Sequence, residues 1–341
     1  MSETKALVFH NPDEAPFLLT GFPWRAENGN FNRILERLMP GLPQQLSWVA
    51  PQPSGGTIRF RTNSHRLALR VELTRTETHR FNTQNLMSGF DVYVDDGEGL
   101  RYVTNLLEDG NPAAYTAELP AFADDRMRHF VLYTPLQNPI ASVAVGLEEG
   151  AEVLPPPAFA LEHPILFYGS SITCGFSASR PGLTYPAQVA RRLNAGFINL
   201  GFGGGARGEL EIARAIASLE LSCFVMDYDF NSPDAAHLGR THKPFFDVVR
   251  AAQPELPIVL ISAPYHWKNP DEFAERRAVV EDTWRQAVAA GDRHVWFLDG
   301  SQFFGREPDW ADYTVDALHP NDRGFQRMAG DILAAVQQAL E

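Results

Sequence analysis

Hydrophobic and polar positions change rhythm once along the chain. Before about residue 155, apolar side chains recur at every second position in short runs. Thr57-Ile58-Arg59-Phe60-Arg61, Leu67-Ala68-Leu69-Arg70-Val71-Glu72-Leu73 and Phe90-Asp91-Val92-Tyr93-Val94 carry this alternation. It is the period of a strand with one buried face. Asp95-Asp96-Gly97 reads as a turn, and Phe130–Tyr133 and Ala141–Val145 predict two further strands. Many short strands with polar turns and little helix predict an antiparallel, jelly-roll-like β-sandwich. Trp24, Trp48 and Phe60 are expected in its core.

Pro155-Pro156-Pro157 is a stiff linker and sets the expected boundary. It divides the chain into an accessory sandwich over residues 1–155 and an α/β domain over 156–341. After the prolines come five compact apolar runs: Pro164–Tyr168, Gly196–Leu200, Cys223–Met226, Pro257–Ile261 and His294–Leu298. Near-continuous apolar runs suit strands buried on both faces of a parallel sheet. Helical segments are expected between them at 184–194, 209–219, 243–252 and 270–290. Phe325, Met328, Ile332, Leu333 and Val336 share one face of a final helix. The alternation predicts a doubly wound, five-stranded parallel sheet.

Charge and cysteine content narrow the function classes. The 341 residues hold 29 Lys and Arg against 42 Asp and Glu, a net charge of −13. Nucleic acid and anionic membrane surfaces are therefore poor partners. No apolar stretch reaches the ~20 residues that span a bilayer. Cys174 and Cys223 do not make a disulfide framework. The acidic, interrupted N-terminus is not a signal peptide, so a cytoplasmic location is expected.

Open parallel sheets bind ligands beyond the carboxyl ends of their strands. The first of the five strands leads into Gly169-Ser170-Ser171-Ile172-Thr173-Cys174-Gly175. A serine there sits near a helix start, where free N–H groups favour an oxyanion. The plainer reading is that both serines cap the helix. The second strand leads into Gly201-Phe202-Gly203-Gly204-Gly205, whose bare backbone donors suit an anion or simply a flexible turn. It is not a dinucleotide fingerprint. The third leads into Asp229-Phe230-Asn231-Ser232-Pro233, either an amide donor or a turn. Asp316-Ala317-Leu318-His319 precedes the last helix. There the carboxylate can hold the imidazole Nδ1–H and leave Nε2 free as a base. Together the four pieces supply a nucleophile, an oriented base and two kinds of oxyanion donor.

On these motifs, residues 163–341 resemble the SGNH hydrolases, the GDSL-like esterases and lipases with a flavodoxin-like fold. The family nucleophile falls on Ser171, with Ser170 where aspartate usually stands. The oxyanion glycine falls on Gly204 and the oxyanion asparagine on Asn231, whose flanking Gly and Asp are replaced by Asp229 and Ser232. Asp316 and His319 match the last block. The first half resembles the β-sandwich found ahead of some SGNH carbohydrate esterases and acyltransferases. The resemblance implies acyl transfer through a Ser171 ester, with no metal or organic cofactor.

Tyr265, His266 and Trp267 follow the fourth strand and are expected to line the substrate pocket; Arg207 is a further candidate contact. His237 and His242 lack the tight spacing of a metal site. The expected partner is a small-molecule ester, acylated carbohydrates included; no oligomeric state is implied. Three functions compete: a serine esterase removing small acyl groups, an acyltransferase with the same triad, and an inert carbohydrate-binding protein. The intact set Ser171, Asn231, Asp316 and His319 weighs against the third.

Overall fold

A computed structural model describes residues 5–266, 268–305 and 308–341. In the first half the strands are β1 (Leu7–His10), β2 (Leu18–Thr20), β3 (Thr57–Thr62), β4 (Leu67–Leu73) and β5 (Phe90–Asp95). They continue with β6 (Arg101–Leu106), β7 (Ala114–Leu119), β8 (Arg128–Tyr133), β9 (Ile140–Glu148) and β10 (Val153–Leu154). Short helices α1 (Arg25–Asn28), α2 (Gln44–Val49) and α3 (Gln84–Met87) lie in the connections. One sheet runs β1-β9-β4-β7, and the other β10-β3-β8-β5-β6 with β2 beside β3. Alternation explains their stacking. Ile58 and Phe60 of β3, Leu69 and Val71 of β4, Phe130 of β8 and Val145 of β9 all turn inward and are fully buried in one cluster. Phe60 pairs with Phe130 across the ladder, and their rings stack at 5.3 Å.

The second half forms a five-stranded parallel sheet. Its elements are β11 (Ile165–Gly169), α4 (Ser171–Cys174), α5 (Tyr185–Arg192), β12 (Phe197–Gly201), α6 (Leu210–Ala217) and β13 (Cys223–Asp227). Then follow α7 (Ala235–Ala252), β14 (Ile258–Ile261), α8 (Pro270–Ala289), β15 (Val295–Leu298) and α9 (Asp322–Leu340). The order β12-β11-β13-β14-β15 is the flavodoxin-like arrangement, with its switch point between β11 and β13. Both faces are covered, so the strands are continuously apolar. Leu166 and Tyr168 of β11 face α6 and α7, whereas Ile165 and Phe167 face α5 and α9. Phe325, Met328, Ile332 and Val336 bury the whole inner stripe of α9. Burial of each such side chain stabilises by roughly 1.5–3 kcal/mol.

Two differences from the sequence reading have physical causes. Helix α7 begins at Ala235, eight residues before the expected start, because the Asp234 side chain caps it by accepting the His237 N–H at 2.6 Å. Trp24 is buried outside the sandwich core. With Ile34, Leu35, Leu46 and Val49 it packs against the α/β layer, and Trp48 is 52% exposed. Segment 24–50 is therefore a strap from the first half across the second. Fully buried Arg33 pins it, donating to the carbonyls of Asn199 (2.8 Å), Gly201 (2.7 Å), Val49 (3.2 Å) and Gln52. No helix among the described residues is long and apolar enough to cross a membrane.

Candidate active site

Strand β11 must turn sharply at its end, and two glycines permit it. A Cβ on Gly169 would lie 2.1 Å from Thr173 Oγ1 and 2.2 Å from the Asp227 carbonyl oxygen. One on Gly201 would lie 2.1 Å from the Cys174 nitrogen. No side chain fits there, so α4 sits hard against the ends of β12 and β13. The paired serines divide the work. Ser170 Oγ caps α4 by accepting the Ile172 N–H at 3.1 Å. Ser171 opens the helix, so its own N–H has no intrahelical acceptor.

Ser171 Oγ lies 3.0 Å from His319 Nε2, although 148 residues separate them. His319 Nδ1 lies 2.8 Å from Asp316 Oδ2. The other oxygen, Oδ1, accepts the backbone N–H of His319 at 2.7 Å and of Leu318 at 3.1 Å. One carboxylate thus fixes both the loop and the ring. Ala317 adopts φ +66°, a left-handed conformation that lets the loop close over three residues. Pairing of Thr314 with Pro320 and the Val315 N–H bond to the His319 carbonyl hold its far side. Phe176 packs on the imidazole at 4.5 Å.

Burial pushes the His319 imidazole below its ordinary value, and Asp316 only partly restores it. Burial alone would raise the Asp316 carboxyl, but the hydrogen bonds from His319 hold it below the usual carboxylate range. At neutral pH the pair is a neutral base beside a carboxylate.

Gly204 and Asn231 meet beside the serine. The Gly204 N–H donates to Asn231 Oδ1 at 3.1 Å, and Asn231 Nδ2 donates to the Phe202 carbonyl at 2.7 Å. These partners fix the amide orientation. Nδ2 carries a second hydrogen beyond the bond to Phe202, while the Gly204 N–H is engaged by Oδ1. Gly203 is packed against the serine: a Cβ there would stand 3.5 Å from Ser171 Cβ. Gln45 Nε2 anchors this loop through the Gly203 carbonyl at 2.9 Å.

A cleft of about 310 Å³ opens over Ser171 and His319. Gly203, Gly204, Cys174 and Phe176 line it, together with Gln45, Trp48, Gln52 and Gln137 from the first half of the chain. Sequence reasoning did not bring these first-half residues to the site: Gln45 and Trp48 lie on the short helix α2 and Gln52 and Gln137 in connections, where no periodic signal marks them. The Trp48 indole is backed by the Arg75 guanidinium at 3.9 Å.

Tyr265, His266 and Arg207 do not line that cleft. Tyr265 borders a separate groove with Phe273 and Asp299, and its ring meets Trp310 edge-on at 5.8 Å. His266 stacks on Phe273 at 4.8 Å. Arg207 is exposed, with its carbonyl 3.0 Å from His237 Nε2. Trp267 lies outside the described residues. Buried His242 is held by Thr283 at 2.8 Å. Among the described residues no cluster of His, Cys, Asp or Glu is arranged to hold a metal ion.

A serine paired with a histidine thus stands at the switch point of a doubly wound parallel sheet, with a β-sandwich appended. Residues 162–337 match the family model of the GDSL-like lipase/acylhydrolases, and residues 7–153 match that of the N-terminus of SGNH-hydrolase-type esterases. The chain belongs to the GDSL-like lipase/acylhydrolase family and is a carboxylic ester hydrolase of the SGNH type. A GDSL-like lipase candidate from Bacteroides ovatus superposes with a TM-score of 0.85, at 24% identity over 98% of both chains. The salicylyl-acyltransferase of a tetracycline biosynthetic pathway gives 0.80, at 21% identity over 97% of this chain and 96% of that one. A family two carbohydrate esterase from Clostridium thermocellum, solved with cellohexaose, gives 0.64 at 18% identity over 84% and 93%. A comparison with curated protein sequences found no match.

Proposed function

We propose that the protein is a serine esterase that removes small acyl groups, acetyl first among them, from a hydroxyl-rich carrier such as a sugar. Residues 156–341 carry the chemistry and residues 1–155 form the accessory sandwich. The observation that carries the reading is the 3.0 Å approach of Ser171 Oγ to His319 Nε2, with Nδ1 held at 2.8 Å by Asp316.

His319 takes the Ser171 proton as Oγ attacks the ester carbonyl. Asp316 keeps the imidazole in the required tautomer and stabilises the imidazolium. The oxyanion accepts hydrogen bonds from the Ser171 N–H, the Asn231 side chain and the Gly204 N–H. Each donor of this kind contributes about 3–4 kcal/mol to the barrier reduction. His319 returns the proton to the departing alkoxide. Water, deprotonated by the same base, then cleaves the acyl-enzyme.

The Trp48 and glutamine wall of the cleft supports a sugar leaving group. Trp48 offers a half-exposed aromatic face, and Gln45, Gln52 and Gln137 offer carboxamide donors and acceptors. The same wall offers a seat for an alcohol that would replace water, which would make the site an acyltransferase. The test is turnover of an aryl acetate and of acetylated sugars by the native protein and by Ser171→Ala. Loss of both activities in the variant is expected; equal rates would remove the serine mechanism. New esters formed with added alcohols would mark the transferase.

A further inference from the structure

A second cavity, of about 290 Å³, lies where the sandwich meets the α/β layer. Alternation in β3 and β8 creates it. Ile58 and Phe60 point into the sandwich core, so Thr57 and Arg59 point the other way, as do His129, Val131 and Tyr133. These outward residues meet Phe159 of the linker, Ala190 and Arg191 of α5, and Phe197 at the start of β12. Phe197 and the active-site loop stand at opposite ends of β12, about 13 Å apart along the strand. The two sites share no lining residue.

The lining is unusual in a chain of net charge −13. Two arginines, Arg59 and Arg191, line it with one carboxylate, Asp95, whose Oδ1 is already engaged by the N–H groups of Gly97 and Gly99; Arg191 Nη1 is itself taken up by the Gly182 carbonyl at 3.0 Å and the Tyr133 hydroxyl at 3.3 Å. Arg59 is 3% exposed. Its Nη2 donates to the Pro157 carbonyl at 3.0 Å, and its plane lies on the Phe159 ring at 3.8 Å. Its Nη1 is buried with no hydrogen-bond partner, as is Nε2 of His129. Burial and the neighbouring Arg59 push the His129 imidazole down to about 4, so it is neutral at pH 7. A buried guanidinium nitrogen without an acceptor leaves a strong, directional demand for an anionic oxygen. Phe159, Phe197, Val131, Leu100 and the Tyr133 ring supply apolar surface, and Thr20, Thr57 and Asn194 add polar groups to the lining.

We propose that this interdomain cavity binds a small monocarboxylate with an apolar body, its carboxylate on Arg59 and its body among Phe159, Phe197 and Val131. The volume lies at the lower end for ligand pockets and suits an acid of benzoate or hexanoate size. The inference does not depend on the esterase reading, although an acid released by ester cleavage falls in the same chemical class.

The test uses the full-length protein, and binding at the active-site cleft is told apart by its indifference to changes in the cavity lining. Benzoate and hexanoate are titrated by calorimetry up to about 10 mM, where even weak sites register. One site per chain is expected. Arg59→Met should weaken binding by about tenfold or more, because it removes the charge-assisted bond. Leu100→Trp, which fills the cavity while leaving Arg59 in place, should do the same. Both changes, made alone in the native background, should retain aryl acetate turnover, which shows that they fold. Absence of binding, binding indifferent to both changes, or equal displacement by inorganic phosphate would overturn the proposal.

Discussion

Asp227 ends strand β13 and is fully enclosed beneath the nucleophile turn. Its Oδ2 accepts hydrogen bonds from Thr173 Oγ1 at 3.0 Å and from the Tyr185 hydroxyl at 2.9 Å. Burial pushes its carboxyl up to about 8, with the nearby Asp229 adding to the effect. An aspartate in the unfolded chain titrates near 3.9, so between about pH 4 and pH 8 the folded protein holds one more proton at this position. Folding stability from this group is complete below pH 4 and falls as pH rises through 8. The slope is about 1.4 kcal/mol per pH unit, so about 4 kcal/mol is lost between pH 4 and 7. Asp227→Asn removes the titration while its amide oxygen still accepts from Tyr185. Asp229, pushed up to about 6, contributes its own slope in both proteins. The contrast between native and variant is therefore cleanest between pH 6 and 8. Urea unfolding at pH 4, 6, 7 and 8 should give curves that separate steadily, with Asp227→Asn the more stable at pH 8. Parallel curves, or a native protein that remains the more stable at pH 8, would refute the burial argument.

Three further outcomes follow from the site. The acid limb of kcat/KM for an aryl acetate should have its midpoint below 6.5, because burial lowers His319; a midpoint above that value would mean a more solvated or more strongly paired base. Asn231→Ala should lower kcat by about 10²–10³ with little change in KM. An effect confined to KM would show that the amide only holds the Phe202 loop. Trp48→Ala should raise KM for an acetylated oligosaccharide by about tenfold while leaving aryl acetate turnover within about twofold; equal losses on both substrates would place the indole outside the leaving-group seat.

Much of this arrangement is legible in the chain because burial leaves a strong periodic trace. The strands β11–β15 are covered on both faces and read as unbroken apolar runs; α9 reads from Phe325, Met328, Ile332 and Val336. Asp316 and His319 sit three residues apart on one loop, so their contact is local. The Ser171–His319 contact is not local, but a parallel sheet gathers strand ends by rule. Other features leave no such trace. The helix expected from residue 243 starts earlier, and α7 runs through Pro244 because capping at Asp234 and the burial of Leu238 and His242 outweigh one missing N–H. The strap 24–50 carries short helical turns too brief to show a period, and its Arg33 bonds to backbone carbonyls, which no side-chain pattern announces. Trp48, expected in the sandwich core, is 52% exposed instead. It is exposed because its strap packs Leu46 and Val49 inward and turns the indole toward the cleft.

The central claim is that Ser171, activated by His319, is the nucleophile. An aryl phosphonate that esterifies activated serines, followed by peptide mapping with mass spectrometry, tests it directly. One adduct on Ser171 is expected in the native protein, and His319→Ala should label far more slowly. An adduct on any other residue, or undiminished labelling of the histidine variant, would contradict the account.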